Sequence, residues 1–260
     1  MPSSRQPRPI AHASFRVEAA EPGNGPTDAL DVEQASREGL SLGEQGGQPD
    51  ASTFFTVQLF VIRYEQGRMD DDLGAQLAAF AERVPLPISQ LMLAVHHCER
   101  GRSDDAASGF AEVVARGLRN MPRDNSWSPV MALAVTVCAS LKDTGQAAAL
   151  NEILAPFEDL NLAHTLMWFG TVAHYLGILD VTLGRFDDAD VRFAAAATTH
   201  ERLGTPCSLA RTRLEWGRML LTRRQTGDPE RARELLGQAL ATARELGLAN
   251  VERRAVELLS

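Results

Sequence analysis

The stretch that decides the fold is residues 176–193, "LGILDVTLGRFDDADVRF". Its Leu176-Gly177 pair is followed by Ala189, twelve residues after that glycine, and by Phe193 one helical turn later. A near copy at 93–110, "LAVHHCERGRSDDAASGF", sets Leu93-Ala94, Ala106 and Phe110 at the same offsets. A third stretch at 66–79, "QGRMDDDLGAQLAA", repeats the Gly-Arg-x-Asp-Asp core. This spacing belongs to a helical hairpin. The small residue at 94 or 177 lets a first helix approach its neighbour, alanine at 106 or 189 does so for the second, and Phe110 or Phe193 fills the gap one turn on. Gly67, Gly101 and Gly184 supply the turn. The pairs Asp70-Asp71, Asp104-Asp105 and Asp187-Asp188 then fall in the first turn of the next helix, where carboxylates complement its positive end.

Working outward, Gly67 and Gly101 are 34 residues apart, the tetratricopeptide period. The 83 residues from Gly101 to Gly184 hold two repeats, with "LKDTGQAAALNEIL" (141–154) as the missing copy and Lys142 in the glycine slot. Gly227 marks a fourth turn, with Trp216-Gly217 before it and Ala232 and Leu236 after it, at the cost of three extra residues. Asp72 occupies the position held by Ala106 and Ala189, which predicts a loose first copy. Amphipathic periodicity predicts helices over 28–44, 51–66, 70–83, 87–100, 103–117, 127–141, 144–155, 162–183, 186–203, 206–224, 229–246 and 249–259, and no strands. Ser126 and Thr205 are expected N-caps, Gly204 and Gly247 expected C-caps. The fold class is therefore all-α, an α-α superhelix: a TPR-like solenoid of about five helical hairpins, closed by the helix 249–259.

Residues 1–26 lack periodicity and are rich in Pro, Ser and Gly, so they read as a disordered leader, with 27–260 as the helical repeat domain. Segment 28–44 reads as the second helix of a repeat whose first helix is missing. An uncapped solenoid end of that kind favours homodimerisation or partner docking.

Composition excludes several classes. Formal net charge is −8, which argues against direct binding of nucleic acid. Charge is uneven: residues 28–82 hold 11 acidic and 3 basic side chains, while 201–260 hold 11 arginines and 8 acids. Cys98, Cys138 and Cys207 are odd in number and far apart, as in a reduced cytosolic protein. No signal peptide is visible, and the longest apolar run, "VMALAVTVCA" (130–139), is too short for a membrane span. The expectation is a cytoplasmic protein without membrane contact.

The chemical motifs resolve into coincidence or packing. Repeats hold their Asp pairs a helix-pair apart, so the pairs do not converge on a metal. "GLSLG" (39–43) matches a nucleophile elbow, but Ser41 falls late in a predicted helix with no strand before it. In "HHCE" (96–99), adjacent helical residues point about 100° apart, so His96, His97 and Cys98 cannot share one ion. Lys142 is the one lysine and follows Leu141, so no G-K-[ST] phosphate loop exists. No metal and no cofactor are expected. What remains is surface. Thr171, His174, Ile178 and Val181 share one predicted helix face, and Arg211, Leu214, Arg218 and Leu221 another. Together they predict a concave groove suited to an acidic peptide or helix. Trp127, Trp168 and Trp216 are expected to pack.

Four segments carry a closer resemblance: "LFVIRYEQGRMDD" (59–71), "TVAHYLGILDVTLGRFDDADVRFAAA" (171–196), "RLGTPCSLARTRLEWGRMLLTR" (202–223) and "GDPERARELLGQALATARELGL" (227–248). They resemble the C-terminal repeat region of large actinobacterial signalling proteins, the multidomain ATPase regulators with cyclase or LuxR-type DNA-binding modules. The similarity spans roughly 28–250 and omits those proteins' catalytic and DNA-reading modules. It implies a non-enzymatic interaction or regulatory module that binds a protein or peptide in signalling or transcription control. The alternative it implies is a sensor that takes a small effector in the superhelix groove.

Overall fold

Each Gly-Arg-x-Asp-Asp stretch ends one helix and opens the next in the computed structural model, which describes residues 29–164 and 167–260. The expected disordered leader, 1–26, lies outside the described residues. A first helix, α1 (Ala29–Gln45), precedes five hairpins. These are α2 (Ala51–Glu65) with α3 (Asp71–Arg83), α4 (Pro87–Glu99) with α5 (Ser103–Ala115), and α6 (Trp127–Leu141) with α7 (Thr144–Leu154). The series continues with α8 (Val172–Thr182) and α9 (Phe186–Leu203), then α10 (Pro206–Arg223) and α11 (Asp228–Leu246), and ends with α12 (Ala249–Leu259). The fold is an all-α superhelix.

Why the glycines are needed is visible in the backbone. Gly67, Gly101 and Gly184 have φ of +64°, +70° and +73°, the left-handed turn that closes a helix. The next residue's N–H reaches back five positions in each case: Arg68 to the Arg63 carbonyl, Arg102 to His97 and Arg185 to Asp180, all at 2.8 Å. Lys142 takes the same conformation, φ +54°, and Asp143 N–H closes on the Cys138 carbonyl at 3.1 Å, so this lysine does stand in the glycine's place. Gly227 does not: Arg224 (φ +57°) ends α10, and Gly227 sits at the start of α11. The left-handed positions are thus 67, 101, 142, 184 and 224, and the 34-residue interval occurs only once, before intervals of 40 to 42. Gly204 and Gly247 end α9 and α11 in the same conformation. Ser126 and Thr205 precede helices, but their hydroxyls bond Asp124 Oδ1 and the His200 carbonyl instead of capping.

The seams are as close as the small residues imply. A Cβ on Gly177 would lie 2.8 Å from Phe193 Cε1, and one on Gly217 would lie 2.7 Å from Leu236 Cγ. Ala106, Ala189, Ala232, Phe110 and Phe193 are all buried. The first copy differs. Helix α3 starts two residues later after its glycine than α5 and α9 do, and its inward positions shift by one, so Leu73, Leu77 and Phe80 face inward while Asp72 stays exposed and bonds Arg63. The expected seam position of Asp72 is therefore wrong, because the extra turn residue shifts the register. Asp104-Asp105 and Asp187-Asp188 lie in first turns, whereas Asp70 caps α3 by accepting the Leu73 N–H and Asp71 opens its first turn; Arg102 reaches back to Asp71 at 2.7 Å and Arg223 to Asp187 at 3.0 Å.

One expected helix is shorter than its pattern. Residues 162–164 and 167–171 do not extend α8; they belong to an antiparallel pair of strands, β1 (Asn161–His164) and β2 (Met167–Thr171), bulged after Leu162. Gly170 at φ +100° breaks any helix there, and Thr171 caps α8 by accepting the His174 N–H. Leu162 anchors the strand pair in the core at 1% exposure.

A continuous apolar core runs from Leu59 to Ala232, and a smaller one lies within α10–α12, with Leu221 packed against both. The two ends of the superhelix meet. Helix α12 packs on α2, and a Cβ on Gly67 would lie 3.7 Å from Asn250 N. Arg253 reaches Glu99 at 3.5 Å, and Arg211 on α10 pairs with Glu65 at the end of α2. Among the described residues, no helix is long and apolar enough to cross a membrane.

Candidate functional site

The polar side chains that line the interior belong to α2, α8, α9, α10 and α12. Thr171 N–H donates to His200 Nε2 at 3.2 Å, so Nε2 carries the lone pair and Nδ1 carries the proton. His200 Nδ1–H then donates to Thr212 Oγ1 at 3.2 Å, and the Thr212 hydroxyl donates to His174 Nδ1 at 3.0 Å. This directional chain requires both imidazoles to be neutral. Burial, with the neighbouring imidazole, pushes His174 down to about 3; burial and the Arg211 charge push His200 down to about 4. Thr212 is fully buried, and the chain fastens α8, α9 and α10 to one another.

Beside it lies a charged cluster. Burial pushes the Glu215 carboxyl up, but Arg254 (2.6 Å) and Arg218 (2.7 Å) outweigh it and hold the group at about 2. Burial raises the Tyr64 hydroxyl to about 12 and pushes Tyr175 up as well; Tyr175 donates to the Phe169 carbonyl at 2.8 Å. Arg211 spends one guanidinium nitrogen on Glu65, while its Nε is shut from solvent with no partner.

The expected groove set is divided by this arrangement. His174 (7% exposed), Ile178 (8%) and Leu214 (1%) are buried among helices, whereas Thr171 (3%), at the end of β2, lines a cavity of about 300 Å³ with Asn161, Ala173 and Thr199. Val181, Arg211 and Arg218 are half-buried, and the cluster brings His174 and Arg211 together, with Arg218 joined through Glu215. The partners that sequence reasoning missed are Tyr64, Glu65, Tyr175, His200, Thr212, Glu215 and Arg254. His200 and Thr212 lie outside the i, i+3, i+7 rows, and Glu65 lies 146 residues from Arg211, so no periodic signal points to either. Trp127 packs edge-on against Phe157, and Trp216 is buried with its Nε1 on Asp190 at 2.6 Å. Trp168, on β2, stays 38% exposed.

The other sequence motifs are embedded in the scaffold. Ser41 is exposed within α1, away from any strand-to-helix turn. His96 Nε2 donates to the Asp70 carbonyl at 2.8 Å, and its ring lies against Gly74. Among the described residues, no group of three His, Cys, Asp or Glu side chains is placed to hold a metal. The cysteines are unpaired, and burial pushes the Cys98 and Cys138 thiols up to about 11 and about 12.

No protein-family model matches the chain, and no curated protein matches it. Among solved structures, the crystal structure of BtubC (BKLC) from P. vanneervenii is 15% identical, with a TM-score of 0.39, over 90% of this chain and 89% of that one. A likeness at that level says nothing about the chemistry of the interior cluster. The chain is characterised by its own geometry: an all-α superhelix whose ends meet over a buried polar cluster in which Arg211 Nε alone is left without a partner.

Proposed function

We propose that the chain is a non-enzymatic interaction or regulatory module of the tetratricopeptide type, cytoplasmic, recognising a protein or peptide in bacterial signalling or transcription control. The observation that supports this reading is how the interior polar groups are used. His174, His200 and Thr212 are consumed by their own chain of bonds, Glu215 by two arginines, and Glu65 by Arg211. Recognition then falls to the outer helix faces, as in other solenoids. The hairpin spacing and the resemblance of residues 28–250 to regulator repeat regions point the same way. Leu42 (70% exposed) and Phe54 (48%), on α1 and α2, fit association of two copies through the N-terminal end.

A second reading, a small-ligand sensor, draws on one observation: the solvent-shielded Nε of Arg211 has a donor to give in a cluster that also holds Tyr64 and Tyr175. Native mass spectrometry of the protein purified from its own host separates the two. A stoichiometric polypeptide supports the interaction module, a small-molecule increment lost in Arg211→Gln supports the sensor, and the bare monomer mass overturns both.

A further inference from the structure

Helices α3 and α5 flank α4 without closing over it, leaving a groove of about 270 Å³. Its floor is small and apolar: Ala78 and Ala81 of α3, Ala94 and Leu93 of α4, and Gly109 of α5. At Gly109 even an added Cβ would come no nearer than 4.0 Å to Ala94, so the floor has room for an incoming backbone or side chain. The rim is acidic, with Glu82 on one wall and Asp105 and Glu112 on the other.

Two observations separate this groove from an ordinary solvated face. Six acids at other hairpin turns, Asp70, Asp71, Asp72, Asp187, Asp190 and Asp228, each meet an arginine. Among the described residues, Glu82, Asp105 and Glu112 have no such partner, although three carboxylates share one small groove. The floor also carries two polar atoms that are shut from solvent and unsatisfied, Gln90 Oε1 and His97 Nδ1. Gln90 Nε2 donates to Glu112 Oε2 at 3.2 Å, which fixes the amide and leaves its oxygen as an acceptor facing the groove lining. Gln90 and His97 lie two turns apart on α4, about 10 Å along its axis.

We propose that the α3–α4–α5 groove is a docking site for an arginine- or lysine-bearing segment of a partner protein. A guanidinium provides several N–H donors and a charge in one planar group, matching the three carboxylates around the groove. The alanine and glycine floor lets the partner's backbone come close enough for its basic side chains to reach both ends of the groove. The inference deepens the interaction-module reading by naming the surface and the chemistry of its partner.

The test is fluorescence anisotropy with the full chain and labelled helical peptides carrying two arginines two turns apart on an alanine-leucine face. Wild type is expected to bind the arginine peptide at least about tenfold more tightly than its glutamate counterpart. Gly109→Leu, which fills the groove, and Glu82→Gln with Glu112→Gln are each expected to weaken binding about tenfold with an unchanged melting temperature. Glu234→Gln with Glu245→Gln, on α11, serves as the control for loss of charge alone and is expected to leave binding intact. Equal binding of both peptides, equal loss in the α11 control, or full binding by Gly109→Leu overturns the proposal. So does sedimentation showing a dimer that the groove variants abolish, since the occupant is then a second copy. If a polypeptide copurified from the host still binds the groove variants, this surface is refuted while the interaction-module reading stands. If no polypeptide copurifies, that reading itself fails.

Discussion

Lowering the pH from 7 to 5 tests the buried imidazole chain directly. In the unfolded protein, His174 and His200 take up a proton near pH 6.5; in the folded protein they do so only at about 3 and about 4. Between those limits the unfolded state binds more protons, so stability falls as pH falls. Each pKa unit corresponds to about 1.4 kcal/mol, so each imidazole costs about 2 kcal/mol over this interval, about 4 kcal/mol for the pair. Glu33 and Glu215, both held at about 2, lose their contribution in the same direction but only below their ordinary range near pH 4.5. Asp180, whose carboxyl burial raises, opposes the trend at the acid end. The assay is urea unfolding at pH 7, 6 and 5, followed by circular dichroism. His200→Gln should retain only about half of the pH dependence, because one titrating group is gone. A free energy of unfolding that stays within about 0.5 kcal/mol between pH 7 and 5 would refute the neutral chain and the bond directions assigned to it.

Phe193→Ala is expected to cost about 3–5 kcal/mol, since Phe193 is fully buried against Gly177 and nothing nearby can fill its volume; an unchanged melting temperature would sink that packing assignment. Asp187→Asn with Asp188→Asn should lose at most about 1 kcal/mol and leave metal content unchanged by elemental analysis, because the pair serves the α9 N-terminus and Arg223. Lys142→Gly should raise stability by up to about 1 kcal/mol in thermal unfolding, since the position is left-handed and every residue but glycine is strained there. A drop in stability would show that the Lys142 side chain contributes more than its backbone strain costs.

The helices were legible because their stops are chemical. Gly67, Gly101 and Gly184 mark left-handed turns, and the spacing even located Lys142 where a glycine was missing. Arg224 escaped because an arginine carries no such mark and a nearby glycine, Gly227, offered a false one. The strand pair was hidden inside a helical period, although Gly170 and the Thr171-x-x-His174 cap break that period at the right place. The register of Leu73 against Asp72 depended on one extra residue in the turn, which fixed offsets cannot register. For the site, His174 and Arg211 were legible because each falls on a helical row with a second polar residue, Thr171 or Arg218. Their partners were not, because Glu65 and Arg254 reach the cluster only when the first and last hairpins meet, and a repeat pattern records neighbours alone.

That meeting of ends changes what a repeat is worth. In an open solenoid each hairpin touches only its neighbours, so stability is a sum of units and interfaces, and the terminal units melt first. Here α12 rests on α2 and Glu65 holds Arg211, so removing any hairpin also pulls apart a seam at the far side of the molecule. The body from α2 to α12 is expected to unfold as one cooperative unit. Its repeats are then not interchangeable parts: the number of hairpins is set by the circumference they have to close.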